Sequence, residues 1–386
     1  SSSLSEPSAV YGSFMSVIET FDQKFFGIAP AEADIMDPHQ RIALEEGYAA
    51  LHAANLDRSS LMHSGAGVYA GVWQSDYSNV LATRGAAGRG PLAVTATFCS
   101  MLVGRLSYTL GMLGPCISFD TACSSSLAAF QVALSDLSHQ DCETGLVLGV
   151  NIICDSQLSL LFASARMLSP TGKSYTFDAR ADGYARGEAC NCVALRPDSH
   201  SGRSRCEAGA VRQDGRSASL TAPNGPAQQA LMRAALSNAG RLPQGSFVQE
   251  AHGTGTSLRD PIETRALCSV RDEPHQLSMI VGHTEPGAGT TGIVQLAGTL
   301  WRSAVCPNAQ LRVLNPRVHA VIRSAQCAMQ TQVAPRSTGL KGGVSSFGFS
   351  GTIACVAVRT ALSSRLRALI ASSEPLFKRR AFAWLE

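Results

Sequence analysis

Two spacings of hydrophobic positions alternate along the chain. Over residues 32–56, Ile35, Met36, Ile42, Leu44, Tyr48 and Leu51 recur at near-helical intervals, which predicts a helix. Gly67–Val72 (GVYAGV) is a short apolar run and reads as a buried strand, and residues 92–110 read as a second helix. A Gly-Pro turn at Gly114-Pro115 leads into a strand-like CISFD. The Ala- and Leu-rich TACSSSLAAFQVALSDL that follows is expected to be helical. Gly145–Cys154 (GLVLGVNIIC) is continuously apolar, as a central strand covered on both faces would be.

A similar succession returns after about residue 190. CNCVAL and AGAVRQDG read as strands opening a second half, and Gln228–Ala239 as a helix. SFVQEAHGTGT reads as a strand running into a Gly/Thr loop. GTTGIVQLAGTLWRSAV reads as a helix behind a Gly-rich loop, and KGGVSSFGFSGTIACVAVRT as a glycine loop followed by a strand. This alternation predicts α/β layers around a largely buried sheet. The Ser-rich opening, to about Val17, is expected as loop or frayed end. The mildly basic tail, 362–386, is expected to wrap the body or lead into a further module.

Composition narrows the function classes. With 45% hydrophobic and 16% charged residues among 386, the chain can bury a large core and is not a disordered type. A formal charge of +3 makes no general case for nucleic acid or a membrane surface. No apolar stretch is long enough for a membrane span, and SSSLSEPSAV lacks the pattern of a signal peptide. The 12 cysteines include no C-x-x-C pair, and many, such as Cys116, Cys154 and Cys355, sit in apolar runs. They read as reduced, buried thiols of an intracellular protein in a reducing compartment, cytoplasmic or organellar.

Three residues carry candidate chemistry. Cys123 stands between a strand-like and a helix-forming stretch, where free N–H groups and the helix dipole favour a thiolate and can bind an oxyanion. The alternative is a buried structural thiol. His252, in EAHGTGT, and His283, in VGHTEPGAG, each follow an apolar run and precede a glycine-containing loop. A Cys with two His can form a nucleophile with two hydrogen-bond donors or bases, if the fold unites them. A zinc site on Cys123, His252 and His283 is the weaker alternative, since their spacing matches no paired-ligand motif. No glycine run fits a phosphate-binding fingerprint.

Together, DTACSSSLAA, EAHGTGT, GHTEPGAG and SSFGFSGT resemble the signature blocks of the β-ketoacyl synthase (ketosynthase) domain of modular polyketide synthases. FFGIAPAEADIMDPHQRIALE, LSPTGKSYTFDARADGYARGEA and QDGRSASLTAPNGPAQ agree, in the family's order, from about Phe21 to Val358. The resemblance implies a thiolase-like α/β fold: two similar halves in a five-layered α/β/α/β/α body, here beginning after the family's first strand. Residues 1–189 would form the half carrying the nucleophile, 190–361 the half carrying both histidines, and 362–386 a linker like those that follow synthase domains. It implies decarboxylative Claisen condensation of an acyl-Cys123 intermediate with a malonyl-type extender on an acyl carrier protein, within a homodimer. The phosphopantetheine arm arrives on the carrier, and the chain itself binds no cofactor and no metal. A synthase that only loads or transfers acyl groups, or a non-catalytic dimer and carrier-docking module, are the alternatives.

By the same resemblance, His252 and His283 hydrogen-bond the developing enolate, and the backbone N–H groups of Cys123 and Phe349 form the oxyanion hole. Thr254 and Thr256 hold the pantetheine arm, the Phe349 side chain gates the pocket, and Glu285 supports the site. The chain departs from the family pattern in several places. Ser278 and Ile280 stand where lysine and asparagine are usual, and Arg259 where glycine is. Ser350, Ile353 and Cys355 stand where Gly, Asn and His are. Loss of the lysine removes a charged partner of Glu285, an expected cost of about 2–4 kcal/mol in transition-state stabilisation.

Overall fold

The computed structural model describes residues 11–16, 18–85, 90–197, 204–239, 247–270, 275–278, 282–323, 325, 327–335, 341–360, 375 and 377–382. Two sheets organise them. The first contains β1 (Ala66–Gly71), β2 (Cys116–Phe119), β3 (Thr144–Asn151) and β4 (Ala189–Leu195), in the order β2-β1-β3-β4. β1 runs parallel to both β2 and β3, and β4 returns antiparallel to β3. The second contains β5 (Ser204–Gln213), β6 (Phe247–Glu250), β7 (His275–Ser278), β8 (Cys327–Met329), β9 (Lys341–Phe347) and β10 (Thr352–Thr360), in the order β8-β7-β6-β9-β10-β5. The parallel set β8-β7-β6-β9 is closed by β10, which runs antiparallel to β9 and β5.

Helices complete five layers. α1 (Pro38–Ala53) and α2 (Cys99–Leu110) cover the outer face of the first sheet. α3 (Ser125–His139), α4 (Gly225–Asn238), α5 (Arg259–Cys268), α6 (Ala288–Arg302) and α7 (Pro316–Ile322) follow in the chain. α3 and α6 touch each other and both sheets, forming the central layer. α4, with α5 and α7, closes the far side. The sandwich explains the apolar runs. Every residue of β3 is buried, because helices lie on both of its faces. Leu127, Phe130, Ile293 and Leu296 of the central helices meet Tyr69, Val147, Val344 and Val356 of the two sheets in one core cluster. Gly71 lets α3 begin directly on the end of β1, since a Cβ there would lie 2.2 Å from the Ser126 nitrogen. That contact sets the turn carrying Cys123.

Several local expectations change. The helix expected over 32–56 is two helices, Pro30–Ile35 and α1, separated where Pro38 forces Asp37 out of helical geometry. Asp37 then caps α1 by accepting the His39 N–H at 2.8 Å. Residues 92–110 divide into a 3₁₀ turn at Pro91–Thr95 and α2. Ala189–Leu195, read as opening the second half, is the return strand of the first sheet. The change of sheet falls between Leu195 and Ser204. KGGVSSF, read as a glycine loop, is the interior strand β9. Gly342 is needed there because a Cβ would lie 2.4 Å from the Val248 carbonyl oxygen.

Gly12–Ser13, within the stretch expected to be loop, pairs with Arg186–Gly187. Residues 1–10 and 17 lie outside the described residues, as does most of 362–386. The described part of the tail lies on the first half: Arg380–Ala381 pairs with Thr20–Phe21, Phe377 packs on Phe25 and Phe26, and Arg379 Nε donates to Glu45 Oε2 at 2.8 Å. Among the described residues, no helix is long and apolar enough to cross a membrane.

Candidate active site

Three chain segments converge where the central helices meet the strand ends. Cys123 follows β2 and precedes α3 on a sharp turn, with Ala122 at φ +56°. Such a left-handed residue points the next side chain away from the strand direction, as in other strand–turn–helix nucleophile sites. The turn is pinned from the second sheet, where Ser346 Oγ of β9 donates to the Cys123 carbonyl oxygen at 2.6 Å. His252 follows β6. Glu263 of α5 fixes its loop by accepting the backbone N–H groups of His252 and Gly253 at 2.7 and 2.9 Å. Asp260 accepts the Gly255 and Phe177 N–H groups at 3.1 and 2.8 Å. His283 follows the β7 strand. Its N–H donates to the Ala185 carbonyl at 3.2 Å and its own carbonyl accepts from Gly187 at 2.9 Å.

These turns bring the three sequence candidates together. The Cys123 sulfur and a ring nitrogen from each of His252 and His283 lie within 4.8 Å of one another. The two imidazoles stand at 88° with centroids 5.0 Å apart, and Tyr184 packs edge-on against His283 at 5.0 Å. Among the described residues, His252 Nε2 and both His283 ring nitrogens have no hydrogen-bond partner, although both residues are at least 96% buried. Burial depresses the pKa of His252, aided by His283 and Arg259. Burial, aided by Arg259, lowers that of His283 to about 3. Both rings are therefore neutral at physiological pH.

The thiol departs from expectation. Cys123 is only 8% exposed, and burial followed by the Glu285 charge pushes its pKa up to about 12. Arg259 and the backbone N–H groups of Cys123 and Phe349 favour the thiolate and pull the other way without prevailing. The helix terminus does not outweigh desolvation here, so the resting residue is a thiol. Phe349 itself is half-buried beside this turn. Thr254 is buried and Thr256 partly so, with their hydroxyl oxygens 3.4 Å apart on the loop after His252.

Glu285 is fully buried and left-handed, at φ +53°. Arg186 grips it through Nε at 2.7 Å and Nη2 at 2.9 Å. Asn151 Nδ2 donates to it at 2.9 Å and the Tyr184 hydroxyl at 3.3 Å. The expectation that Glu285 loses its charged partner with Ser278 is thus corrected: Arg186 supplies one. Ser278 ends β7 opposite Glu250, while Ile280 lies outside the described residues. Ile353 and Cys355 join the core around Phe177, Leu231 and Phe347, and Ser350 is exposed on the turn between β9 and β10.

Sequence reasoning missed Arg186, Tyr184, Asn151, Glu263, Asp260 and Ser346. None lies in a spacing that reports its partner; each acts across more than one segment. Cys123 and its histidines are close enough to share a soft cation, as are Asp37, His39 and Cys154. In the second cluster the His39 ring is already engaged on both sides, by Asp37 Oδ1 at 2.7 Å and by the Ile152 N–H at 2.8 Å.

Comparison with known proteins resolves the family. The profile of the β-ketoacyl synthase N-terminal domain matches residues 2–201, and that of the C-terminal domain matches residues 204–312. The chain belongs to the β-ketoacyl synthase family. The synthase is 36% identical over 364 residues to the mycoketide-CoA synthase of Mycobacterium tuberculosis (strain ATCC 25618 / H37Rv), a match covering 90% of this chain and 9% of that protein. It is 35% identical over 366 residues to erythronolide synthase EryA2 of Saccharopolyspora erythraea, covering 91% of this chain and 10% of that protein. Among solved structures it resembles the ketosynthase from module 6 of the bacillaene synthase of Bacillus subtilis 168, at a TM-score of 0.82 and 30% identity over 89% of this chain and 61% of that one. The synthase thus spans a small part of the curated relatives, and its fold is the thiolase-like fold of polyketide ketosynthases. As a member of the family it is an acyl-transferring condensing enzyme.

Proposed function

We propose that the synthase elongates a polyketide chain by decarboxylative Claisen condensation, with both substrates delivered as phosphopantetheine thioesters on an acyl carrier protein. The observation that carries this reading is the set of unpartnered, buried, neutral imidazole nitrogens beside the Cys123 sulfur. A buried polar group without a partner costs free energy, so it is kept where a substrate completes it. In the first half-reaction the Cys123 sulfur adds to the acyl thioester carbonyl while its proton passes to a neighbouring imidazole. The oxyanion accepts from the backbone N–H groups of Cys123 and Phe349, and collapse expels the pantetheine thiolate, which takes the proton. In the second, the carrier-bound malonyl-type group loses CO2. His252 and His283 donate to the enolate oxygen, whose negative charge a neutral donor stabilises without having been solvated beforehand. The enolate carbon attacks the acyl-Cys123 carbonyl, and the sulfur leaves as a thiolate that takes a proton from solvent to restore the resting thiol.

In this reading Thr254 and Thr256 hold the pantetheine arm, and the Phe349 ring gates the cavity. Glu285 acts by keeping the His283 loop in place. We further place the synthase in a homodimer joined through β2. That strand is the edge of its sheet with Cys116 and Ile117 exposed, and Phe98, Tyr108 and Leu113 expose further apolar surface in neighbouring segments. The deciding experiment incubates the protein with acyl- and malonyl-carrier, following the Cys123 adduct by mass spectrometry and CO2 release together. Adduct formation that Cys123→Ala abolishes, with CO2 release that His252→Ala and His283→Ala abolish, is expected. Absence of an adduct at Cys123 overturns the reading.

A further inference from the structure

Two cavities meet at the histidine loops. The inner one, of about 320 Å³, lies between His252 and His283 and is also lined by Glu250, Thr284 and Ser345, all of them buried. The outer one, of about 600 Å³, is lined by Ser13, Lys173, Ser174, Thr176, Asn308 and Gln310 among others. Ser13 and Lys173 are exposed, so this cavity opens to solvent. Asn308 is buried in its wall. Its Nδ2 donates to the Leu277 and Gln330 carbonyls at 3.3 Å each, and its Oδ1 has no partner among the described residues. An amide oxygen of that kind is completed by water, as the wall of a hydrated vestibule would be.

Three links place the outer cavity directly against the histidine pair. Thr176 Oγ1 donates to the Gly253 carbonyl at 2.6 Å, one residue from His252. The carbonyl of Ala185, in the outer lining, accepts the His283 N–H at 3.2 Å. Gly282 belongs to the lining of both cavities, so at that point the wall between them is main chain without a side chain. Packing does not require glycine there. A Cβ at Gly282 would meet, among the described residues, only the Ala185 carbonyl oxygen, at 3.6 Å, an ordinary contact. At Gly71 and Gly342, by contrast, backbone atoms at 2.2 and 2.4 Å exclude any side chain. What the missing side chain at Gly282 leaves is space beside Ala185, between the two cavities.

We propose that Gly282 is the constriction of a product route, by which CO2 released beside His252 and His283 passes into the outer cavity and leaves at Lys173. This rests on the condensing reading above and adds the path by which one product departs. In decarboxylation the bond from the α-carbon to the carboxylate breaks, its electron pair stays as the enolate, and CO2 departs neutral. An enolate can add back to CO2 that lingers, re-forming the malonyl-type group. At that moment acyl-Cys123 and the pantetheine arm along Thr254 and Thr256 fill the front of the site. An exit past Gly282 removes CO2 without displacing either. Among the described residues no lysine or arginine lines the inner cavity, which suits a neutral molecule in transit.

The test compares the unaltered protein with Gly282→Ala, Gly282→Val and Ala309→Trp, on acyl- and malonyl-carrier. Ala309 is an exposed residue of the outer lining alone, so a larger side chain there narrows the exit without entering the inner cavity. Cys123 acylation, which uses the pantetheine route, is expected to be unchanged in all three. CO2 release is expected to fall about tenfold in Gly282→Val and about threefold in Ala309→Trp, and to stay within about twofold in Gly282→Ala. Full-rate CO2 release in Gly282→Val overturns the inference. So does a loss in Gly282→Val with none in Ala309→Trp, because that pattern reports a displaced His283 and not a blocked exit. Whether the unaltered protein releases CO2 decides the condensing reading, and only the ratio of variant to unaltered rate decides the route, so the two failures are distinguishable.

Discussion

Arg186 and Glu285 form a buried two-point ion pair, 2.7 and 2.9 Å, and the backbone of Arg186 is bridged to that of His283. The pair therefore holds the histidine loop twice, once through the main chain and once through Glu285, two residues beyond the imidazole. Ser159 Oγ accepts the remaining Arg186 donor, Nη1, at 2.7 Å, so the guanidinium has little freedom to turn.

Removing the cation alone leaves a buried carboxylate uncompensated. Arg186→Gln is expected to destabilise the protein by about 3–5 kcal/mol, and Glu285→Gln by less, because the amide keeps some hydrogen bonds. Denaturant unfolding monitored by circular dichroism measures both. A loss below about 1 kcal/mol for Arg186→Gln would show that solvent reaches the pair.

The His252 and His283 loops give opposing pH dependences. Burial raises the pKa of both Asp260 and Glu263 to about 7, against their backbone hydrogen bonds. Their contribution to stability is full below the ordinary carboxylate range, near pH 4, and is lost as pH rises through about 7. Burial lowers His283 to about 3 from 6.5, so its contribution is full above 6.5 and is lost as pH falls toward 3. These windows overlap between about pH 4 and 6.5, where the carboxylates and the imidazole oppose each other. Glu263→Gln removes one declining contribution, so thermal unfolding from about pH 4 to 7 should show stability falling less, or rising more, in the variant than in the unaltered protein; an identical profile would assign the pH dependence to other groups.

Gly71 decides how closely α3 approaches β1. A Cβ would meet the Ser126 nitrogen at 2.2 Å and its Cα at 2.3 Å, both backbone atoms that cannot turn aside. Gly71→Ala is expected to cost about 1–3 kcal/mol and to slow Cys123 alkylation, because the displaced helix carries the nucleophile turn. Full stability with unchanged alkylation would refute this placement.

The edge of β2 is the proposed dimer contact. Ile117→Lys puts a charge on that edge. Light scattering on the eluted protein should give a dimer mass for the unaltered chain and a monomer mass for the variant, with the circular dichroism spectrum unchanged. A dimer that tolerates the lysine would place the interface elsewhere.

Much of the body was legible in periodicity. The burial of β1 and β3, the course of α3 and α6, and the strand–turn–helix setting of Cys123 all follow from apolar spacing and small-residue turns. Misreadings arose where a local signal and its tertiary context disagree. Gly342 and Gly343 read as a loop, yet they lie in an interior strand: the Val248 carbonyl and Leu296 occupy the space of a side chain at Gly342, and the Gln249 side chain occupies it at Gly343. Ala189–Leu195 looked like the start of a new half because pairing partners are not encoded in spacing; β3, about forty residues earlier, claims it.

For the site, the sequence alone determined which residue types could react: a thiol at a helix start and two histidines in glycine-containing loops, with motif blocks that named the family. Only the tertiary structure decided their shared protonation state and their supports. A pKa is set by desolvation and by charges from other segments, and Arg186, Glu263 and Ser346 reach their partners across 99, 11 and 223 residues of chain. Local pattern reports what a residue can do. Burial, and the neighbours that long-range packing supplies, determine in which charge state and geometry it does it.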